Sequence, residues 1–288
     1  MYISEVIARV KEYCGGMDSF SGKPIEDAIT RDQVTYGSVD QGCTGIVTCI
    51  WPTADVIRKA KELGANLIIP HEALFWNHGD HQDIIADNAT YLAKKALLDE
   101  WGGAVWRCHD YIHSRVPIDT DGDMADGIFY GLAWKLGWLD YRVDDKGFGL
   151  DYQIPETNVR SLAAYLVEKL GLNGTRYTGD SEARVSRVRI PMHVFGTPSD
   201  TDTTNATDAD GVDCLVTMEM VDFTTCEYIR DAGMLGQGKC AIALGHFNLE
   251  EPGMEYMVEW LPKALGTDEV PATFVPKGDT YEYVMANK

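Results

Sequence analysis

The sequence predicts an α/β protein built from two lobes, each with a mixed sheet covered by helices. Two observations support this fold class. Short apolar stretches that suit buried strands alternate with longer amphipathic stretches that suit helices. Near residue 141 the chain turns polar and glycine-containing, which indicates a boundary between an amino-terminal lobe at 1–140 and a carboxy-terminal lobe at 141–288.

The amino-terminal lobe alternates strands with helices. Ile3, Val6 and Val10 lie on one side of a first amphipathic helix. Thr53 has a side chain that can cap the first turn of a later helix. After the first helix we predict strands at 45–51, 66–70 and 104–108, and helices at 53–64, 84–101 and 126–136. Short buried strands separated by helices are typical of a sheet that is parallel at least in part.

The same alternation continues in the carboxy-terminal lobe. We predict strands at 149–155, within 183–196, and at 212–217, 239–245 and 272–276, with helices at 156–172, near 222–233 and near 252–265. The segment 197–211 is acidic and rich in small residues, so we expect a loop there, with room for one helical turn.

Charge and cysteine content limit the classes of partner. The formal net charge is -20, and such a field repels phosphate backbones and anionic lipid surfaces. No apolar run is long enough to span a bilayer, and the first residues do not have the form of a secretory signal. The seven cysteines are scattered without a Cys-x-x-Cys pair, which favours reduced thiols and a cytoplasmic location. We therefore expect a small-molecule substrate, with neither nucleic acid nor membrane as a partner.

Ligand-type side chains follow three of the predicted strands. His71 and Glu72 follow the strand at 66–70. His109, Asp110 and His113 follow the strand at 104–108, and His246 follows the strand at 239–245 with Glu250 four residues later. In α/β sheets the carboxyl ends of strands are where ligands bind, because the following loops and helix starts converge there.

These residues form a set that suits a transition metal. The predicted metal ligands are His71, Glu72, His113, His246 and Glu250. Three imidazoles with two carboxylates suit zinc, iron or manganese better than calcium. Five ligands exceed the needs of one tetrahedral ion, so we expect two divalent ions about 3.5–4 Å apart with a bridging carboxylate, for which Glu250 is the first choice.

The other histidines, and Asp110, are not among the predicted metal ligands. His109 is the predicted catalytic residue, since it lies beside the ligands and could move a proton or orient a ligand. Asp110 stays an alternative ligand, depending on the register of its loop. His78 and His81 are expected to be solvated loop residues, and His193, inside a strand-like run, is expected to be structural.

Several motifs together resemble one known family. They are GANLIIPHEALFW, CHDYIH, GHFNLEEPGMEYMVEWL, TFVPKGDTYEYV and DCLVTMEM, and they span most of the chain in order. The sequence resembles a divergent member of the Nif-three-like dinuclear-metal-centre family, which is also called type 2 GTP cyclohydrolase I. Glu72 stands where the family has a second histidine, and His113 stands where it has an aspartate. The two changes offset each other, so the set still has three imidazoles and two carboxylates.

The resemblance implies two interlocked α/β lobes, a dinuclear metal centre and a homohexameric ring. The favoured function is a metal-dependent hydrolase that acts on a nucleotide or another small phosphoester. The first alternative is a metal-binding assembly or regulatory protein without turnover. The second alternative is an α/β protein that binds no metal.

Overall fold

A computed structural model describes residues 1–118, 122–144 and 150–286 of the chain. Part of the polar stretch used to place the lobe boundary, residues 145–149, lies outside the described residues. None of the described helices combines the length and hydropathy that crossing a bilayer requires.

Helices and strands alternate from the first residues onward. Through residue 144 the helices are α1 (Ile3–Tyr13), α2 (Ala54–Glu62), α3 (Ala89–Trp101), α4 (Asp110–His113) and α5 (Gly127–Leu136). The strands of this part are β1 (Val34–Tyr36), β2 (Ile46–Cys49), β3 (Leu67–Pro70), β4 (Ala104–Trp106), β5 (Val116–Pro117), β6 (Met124–Ala125) and β7 (Arg142–Asp144). As predicted, the Thr53 hydroxyl caps α2 by accepting a hydrogen bond from the backbone N–H of Val56.

The alternation continues to the end of the chain. The later helices are α6 (Val159–Leu170), α7 (Asp200–Ala209), α8 (Thr225–Met234) and α9 (His246–Leu265). The later strands are β8 (Asp151–Asn158), β9 (Arg176–Gly179), β10 (Arg184–Arg189), β11 (His193–Val194), β12 (Cys214–Thr217), β13 (Glu219–Met220), β14 (Cys240–Ala243) and β15 (Ala272–Phe274).

The chain divides into two compact units. The first unit comprises Met1–Gly131 and Gly253–Lys277, and the second comprises Leu132–Pro252 and Gly278–Lys288. The predicted boundary near residue 141 instead assigned all of 253–277 to the carboxy-terminal lobe. The difference has a physical cause, since β15 pairs in parallel with β2 of the first unit.

The first unit is built on a sheet with the strand order β1-β4-β3-β2-β15. Strands β4, β3, β2 and β15 run parallel, and β1 pairs antiparallel with β4 at one edge. Every residue of β2 and β3 is buried, as expected for parallel strands covered on both faces. The core on one side of this sheet contains Ile68, Val105, Phe75 and Leu98.

The second unit is built on a sheet with the strand order β7-β8-β10-β12-β14-β9. Strands β10, β12 and β14 run parallel, while β8 and β9 pair antiparallel with their neighbours. Both sheets are thus mixed and accompanied by helices, and the predicted α/β class is confirmed.

One predicted loop is a helix. The segment 197–211 contains α7, whereas we expected at most one helical turn. Asp200 and Asp202 lie in its first turn, where negative charge is favoured by the helix dipole. The Thr204 and Thr207 hydroxyls donate to backbone carbonyls four residues earlier, so these polar side chains are satisfied within the helix.

Candidate metal sites

Three histidines of the first unit come together at the carboxyl ends of neighbouring parallel strands. His71 directly follows β3, and His109 and His113 follow β4, which pairs with β3. The His71 and His109 rings stack with centroids 4.5 Å apart. The His113 ring lies edge-on to both, at 5.0 Å from each centroid. We call these three residues the first cluster.

Hydrogen bonds at Nδ1 hold all three imidazoles of the first cluster in the same tautomer. Each Nδ1 faces an oxygen acceptor and therefore carries the proton, which leaves the lone pair on Nε2. The acceptors are the Cys108 carbonyl for His71 at 3.2 Å, Asp110 Oδ1 for His109 at 2.9 Å, and Asp126 Oδ2 for His113 at 2.7 Å. One ring nitrogen from each histidine lies within 4.8 Å of the others. This arrangement matches protein metal sites, in which a second hydrogen bond fixes each ligating imidazole.

Burial keeps the imidazoles of His71 and His109 neutral. It lowers the pKa of His71 well below its usual range, with a further lowering from the neighbouring His109 and His113. Burial likewise lowers the pKa of His109 to about 3, although its hydrogen bond to Asp110 acts in the opposite direction. Neutral imidazoles are the form that binds a metal ion.

Glu72 forms a buried ion pair with Arg107. Its Oε2 lies 2.7 Å from Nη2 of Arg107, and both side chains are buried. Arg107 also donates to the backbone carbonyls of His71 and His78. Arg107 therefore compensates the buried carboxylate, and a metal ion is not required for that purpose.

A buried carboxylate fixes the loop that carries His109. Asp32 accepts hydrogen bonds from the backbone N–H groups of His109, Asp110 and Tyr111 at 2.7–2.8 Å. The Asp110 side chain accepts from the Arg31 guanidinium and the Thr30 hydroxyl. Burial opposes ionisation, but hydrogen bonds from His109, Arg31 and Thr30 together hold the pKa of Asp110 below its ordinary value. Asp110 is thus engaged as an orienting carboxylate.

A second cluster lies in the second unit, again after neighbouring parallel strands. His193 follows β10, Glu219 follows β12, and His246 follows β14. The Glu219 carboxylate accepts from Nδ1 of His193 at 2.7 Å and from Nδ1 of His246 at 2.5 Å. Glu250, one helical turn after His246 on α9, has its Oε2 3.0 Å from His246 Nε2. We call these four residues the second cluster.

The second cluster favours a positive charge. Burial by itself would lower the pKa of His246, but hydrogen bonds to Glu219 and Glu250 raise it to about 10. Burial would raise the pKa of Glu219, but hydrogen bonds from His193 and His246 lower it to about 2. Two carboxylates around one imidazole thus stabilise a cation at this position.

A cavity opens beside the second cluster. Its volume is about 640 Å³, which is within the range of small-molecule sites. Polar and aromatic side chains on its wall include Arg176, Glu219, His246, Asn248, Tyr281 and Tyr283. A cationic guanidinium and two aromatic rings therefore lie near the histidine and carboxylate pair.

Comparisons with known proteins identify the family. The sequence pattern of DUF34/NIF3 (NGG1p interacting factor 3) matches residues 24–279. The chain belongs to the DUF34/NIF3 family. The predicted resemblance to the Nif-three-like family is therefore confirmed. No curated protein matches the chain.

Solved structures share the fold of this DUF34/NIF3 protein. A hypothetical protein of Staphylococcus aureus, SA1388, is 15% identical over 99% of both chains with a TM-score of 0.67. A Bacillus cereus protein related to NIF3 is 14% identical over 99% of both chains with a TM-score of 0.66. The protein ybgI, of unknown function, is 19% identical over 96% of this chain and 98% of its own, with a TM-score of 0.64.

The predicted ligands of this DUF34/NIF3 protein divide between the units. His71, Glu72 and His113 belong to the first unit, and His246 and Glu250 belong to the second. The structure brings His71 together with His113, and His246 together with Glu250. A single dinuclear centre that joins all five residues stays a prediction, as does the catalytic role of His109.

Several residues of these clusters and their surroundings were not among the predicted site residues, and four of them are instructive. His193 was expected to be structural, yet it shares Glu219 with His246. Glu219 follows a buried strand, so the rule that selected His246 would also have selected Glu219. Asp126 and Arg107 gave no such signal, because their partners His113 and Glu72 are brought to them only by the fold.

Proposed function

We propose that this DUF34/NIF3 protein binds two divalent metal ions, of zinc, iron or manganese, and is a metal-dependent hydrolase of a small molecule. The observation that carries the proposal is the first cluster. Three imidazoles converge there, two of them buried and that of His109 partly buried, and each has an acceptor at Nδ1. Independent structural histidines have no reason to share this orientation.

The donor sets fit such ions. His71, His109 and His113 would offer three imidazole nitrogen ligands, the set found in some catalytic zinc sites. In the second unit a divalent ion would have to replace the proton that Glu219 and Glu250 favour on His246; His246 and Glu250 would then offer one nitrogen and one carboxylate oxygen, with Glu219 orienting His246 through Nδ1. Mixed nitrogen and oxygen ligands without thiolate suit zinc, iron or manganese.

The chemistry proposed is hydrolysis. A divalent ion bound there supplies Lewis acidity and lowers the pKa of a water molecule toward neutrality. Asp110 and Asp126 keep the imidazoles of His109 and His113 in the tautomer with a lone pair at Nε2. The apolar side chains Leu74 and Phe75, both fully buried, follow Glu72 in the chain and belong to the apolar core of the first unit.

The substrate class proposed is a nucleotide or another small phosphoester. The cavity of the second unit supports this proposal, because Arg176 offers a guanidinium for a phosphate group. Tyr281 and Tyr283 on the same cavity wall offer faces on which a planar ring can stack.

The test is a hydrolase screen on protein purified without a metal-binding tag and reconstituted with zinc, manganese or ferrous iron. Bis(p-nitrophenyl) phosphate and a panel of nucleotides serve as substrates. We expect turnover that falls about 100-fold or more in His113→Ala. The matched control is His81→Ala, which removes an exposed loop histidine and should keep full activity.

The outcomes of this screen distinguish a hydrolase from a non-catalytic metal-binding protein. Stoichiometric metal without turnover on any of these substrates would overturn the hydrolase and favour a non-catalytic metal-binding or regulatory protein. The homohexameric ring is also part of the proposal. Light scattering tests it, and the expected molecular mass is six times the 31.9 kDa mass of the chain.

A further inference from the structure

A separate cleft lies on the helical side of the first unit. Its volume is about 290 Å³. Residues of α2 and α3 line it together with two indole rings, and they include Trp51, Thr53, Arg58, Trp76, Thr90 and Lys94. None of these residues belongs to the first cluster, so the cleft has no part in the proposed metal function.

Lys94 is buried at this cleft among aromatic rings. The residue is only 7% exposed, although lysine is normally a surface residue. Its Nζ donates a hydrogen bond of 2.6 Å to the backbone carbonyl of Leu74. The ring centroids of Trp51, Phe75 and Trp76 lie 5.6–5.9 Å from the same nitrogen. One N–H of the amine is thus held by a hydrogen bond, and three aromatic rings surround the nitrogen.

The charges around Lys94 do not compensate an ammonium group directly. Within residues 1–118, 122–144 and 150–286, no carboxylate forms an ion pair with Nζ. The nearby acidic groups are Asp80, whose two oxygens accept the backbone N–H groups of Leu74 and Phe75, and the Cys49 thiol. Arg58 on the cleft wall is paired with Asp55. Burial lowers the pKa of Lys94 to about 8, which leaves part of the amine neutral near physiological pH.

We propose that Lys94 is a nucleophilic amine that captures a small aromatic aldehyde in this cleft as an imine. The Nζ lone pair attacks the carbonyl carbon, and the electrons of the C=O π bond move to oxygen. Two protons pass from nitrogen to that oxygen, water leaves, and a C=N bond replaces the C=O bond. Amine and aldehyde give imine and water, so the step needs no oxidant or reductant.

The walls of the cleft favour an aromatic aldehyde over an aliphatic one. Trp51 and Trp76 both line the space beside Nζ, and indole faces favour a stacked aromatic ring. The hydrogen bond to Leu74 leaves the lone pair of the neutral amine available for attack. An aliphatic aldehyde would lack the stacking partner and would gain less from this cleft.

The experiment traps the imine by reduction. The full chain is treated with a limiting amount of benzaldehyde and sodium cyanoborohydride at pH 7.5, and benzylated lysines are quantified by peptide mass spectrometry. Lys95 is the internal control, since it lies next along α3 and pairs with Asp99 on the surface. We expect at least about tenfold more label on Lys94 than on Lys95, because an ordinary lysine is almost fully protonated at this pH.

Acetaldehyde tests the aromatic preference in the same protein. The ratio of Lys94 to Lys95 labelling should be several-fold lower with acetaldehyde than with benzaldehyde. Because both lysines react with the same aldehyde in one sample, the ratio does not depend on how reactive that aldehyde is. Equal labelling of the two lysines with benzaldehyde would overturn the reactive amine. An equal ratio with both aldehydes would overturn the aromatic class. Both comparisons use the wild-type chain, so neither depends on the folding of a variant.

Discussion

His113 and Asp126 form a hydrogen bond of 2.7 Å between Nδ1 and Oδ2, and both side chains are buried. The second oxygen of Asp126 accepts the backbone N–H groups of Ile128 and Phe129 at the start of α5. One carboxylate therefore fixes the His113 ring relative to a helix. This connection makes Asp126 a positioning residue for the first cluster.

Replacing Asp126 with Asn should weaken metal binding without unfolding the protein. The amide oxygen can still accept from the helix N–H groups, but the charged acceptor for His113 is lost. We expect metal affinity to fall about 10–100-fold. Competition with a fluorescent chelator measures the affinity, and circular dichroism checks the fold. An unchanged affinity would contradict the positioning role.

The buried pair of Arg107 and Glu72 predicts a non-additive effect on stability. Arg107→Met leaves the Glu72 carboxylate buried without its guanidinium, and we expect the free energy of unfolding to fall by about 3–5 kcal/mol. In the double variant Arg107→Met, Glu72→Gln, part of this loss should be regained. Urea denaturation of the single and double variants gives the coupling energy. Additive losses would show that the two side chains act independently.

His109 has two candidate roles that one variant distinguishes. If it ligates an ion with His71 and His113, His109→Ala should lower metal content at the first cluster together with turnover. If it moves a proton, as predicted from the sequence, the variant should keep the metal and lose turnover alone. Elemental analysis beside the hydrolase assay separates these results. Full metal content with full turnover would contradict both roles.

Acid should remove the stabilising effect of Asp151 in the second unit. Arg189, its partner across β8 and β10, donates to both Asp151 oxygens at 2.6 and 2.7 Å. Burial opposes ionisation, but these bonds and the charges of Arg189 and Arg187 hold the pKa of Asp151 below its ordinary value. A lowered folded pKa means that the contribution is complete above the unfolded pKa of about 3.9 and is lost as pH falls through the folded value.

The wild-type chain should therefore exceed Asp151→Asn in stability at pH 6, and the difference should shrink as pH falls from about 4 to 2. Urea midpoints at each pH give this difference. A gap that stays constant across the range would show that ionisation of Asp151 does not stabilise the fold.

The sequence pattern selected His71, His109 and His113 of the first cluster and His246 and Glu250 of the second, but not His193, Glu219 or the contacts that hold these residues. His71, His109 and His246 were selected because each follows an apolar strand-like run, and adjacent parallel strands bring their carboxyl ends together. Arg107 could not be recognised in this way, because one cation after a strand does not reveal which carboxylate it will meet. The same holds for Asp126, which lies 13 residues after His113.

Two further differences come from tertiary structure. Strand β15 lies late in the chain but completes the sheet of the first unit, and local patterns carry no information about that pairing. In α7 the acidic and hydroxyl side chains of Asp200 and Thr204 satisfy backbone groups, so a segment with loop-like composition folds as a helix. Composition alone favoured the loop.

The central claim is that the first cluster holds a divalent ion. Anomalous X-ray diffraction from crystals of zinc-loaded protein, recorded on both sides of the zinc absorption edge, tests it most directly. We predict an anomalous peak about 2.0–2.1 Å from the Nε2 atoms of His71, His109 and His113. Zinc-loaded crystals that show no anomalous peak among these three rings would contradict the account.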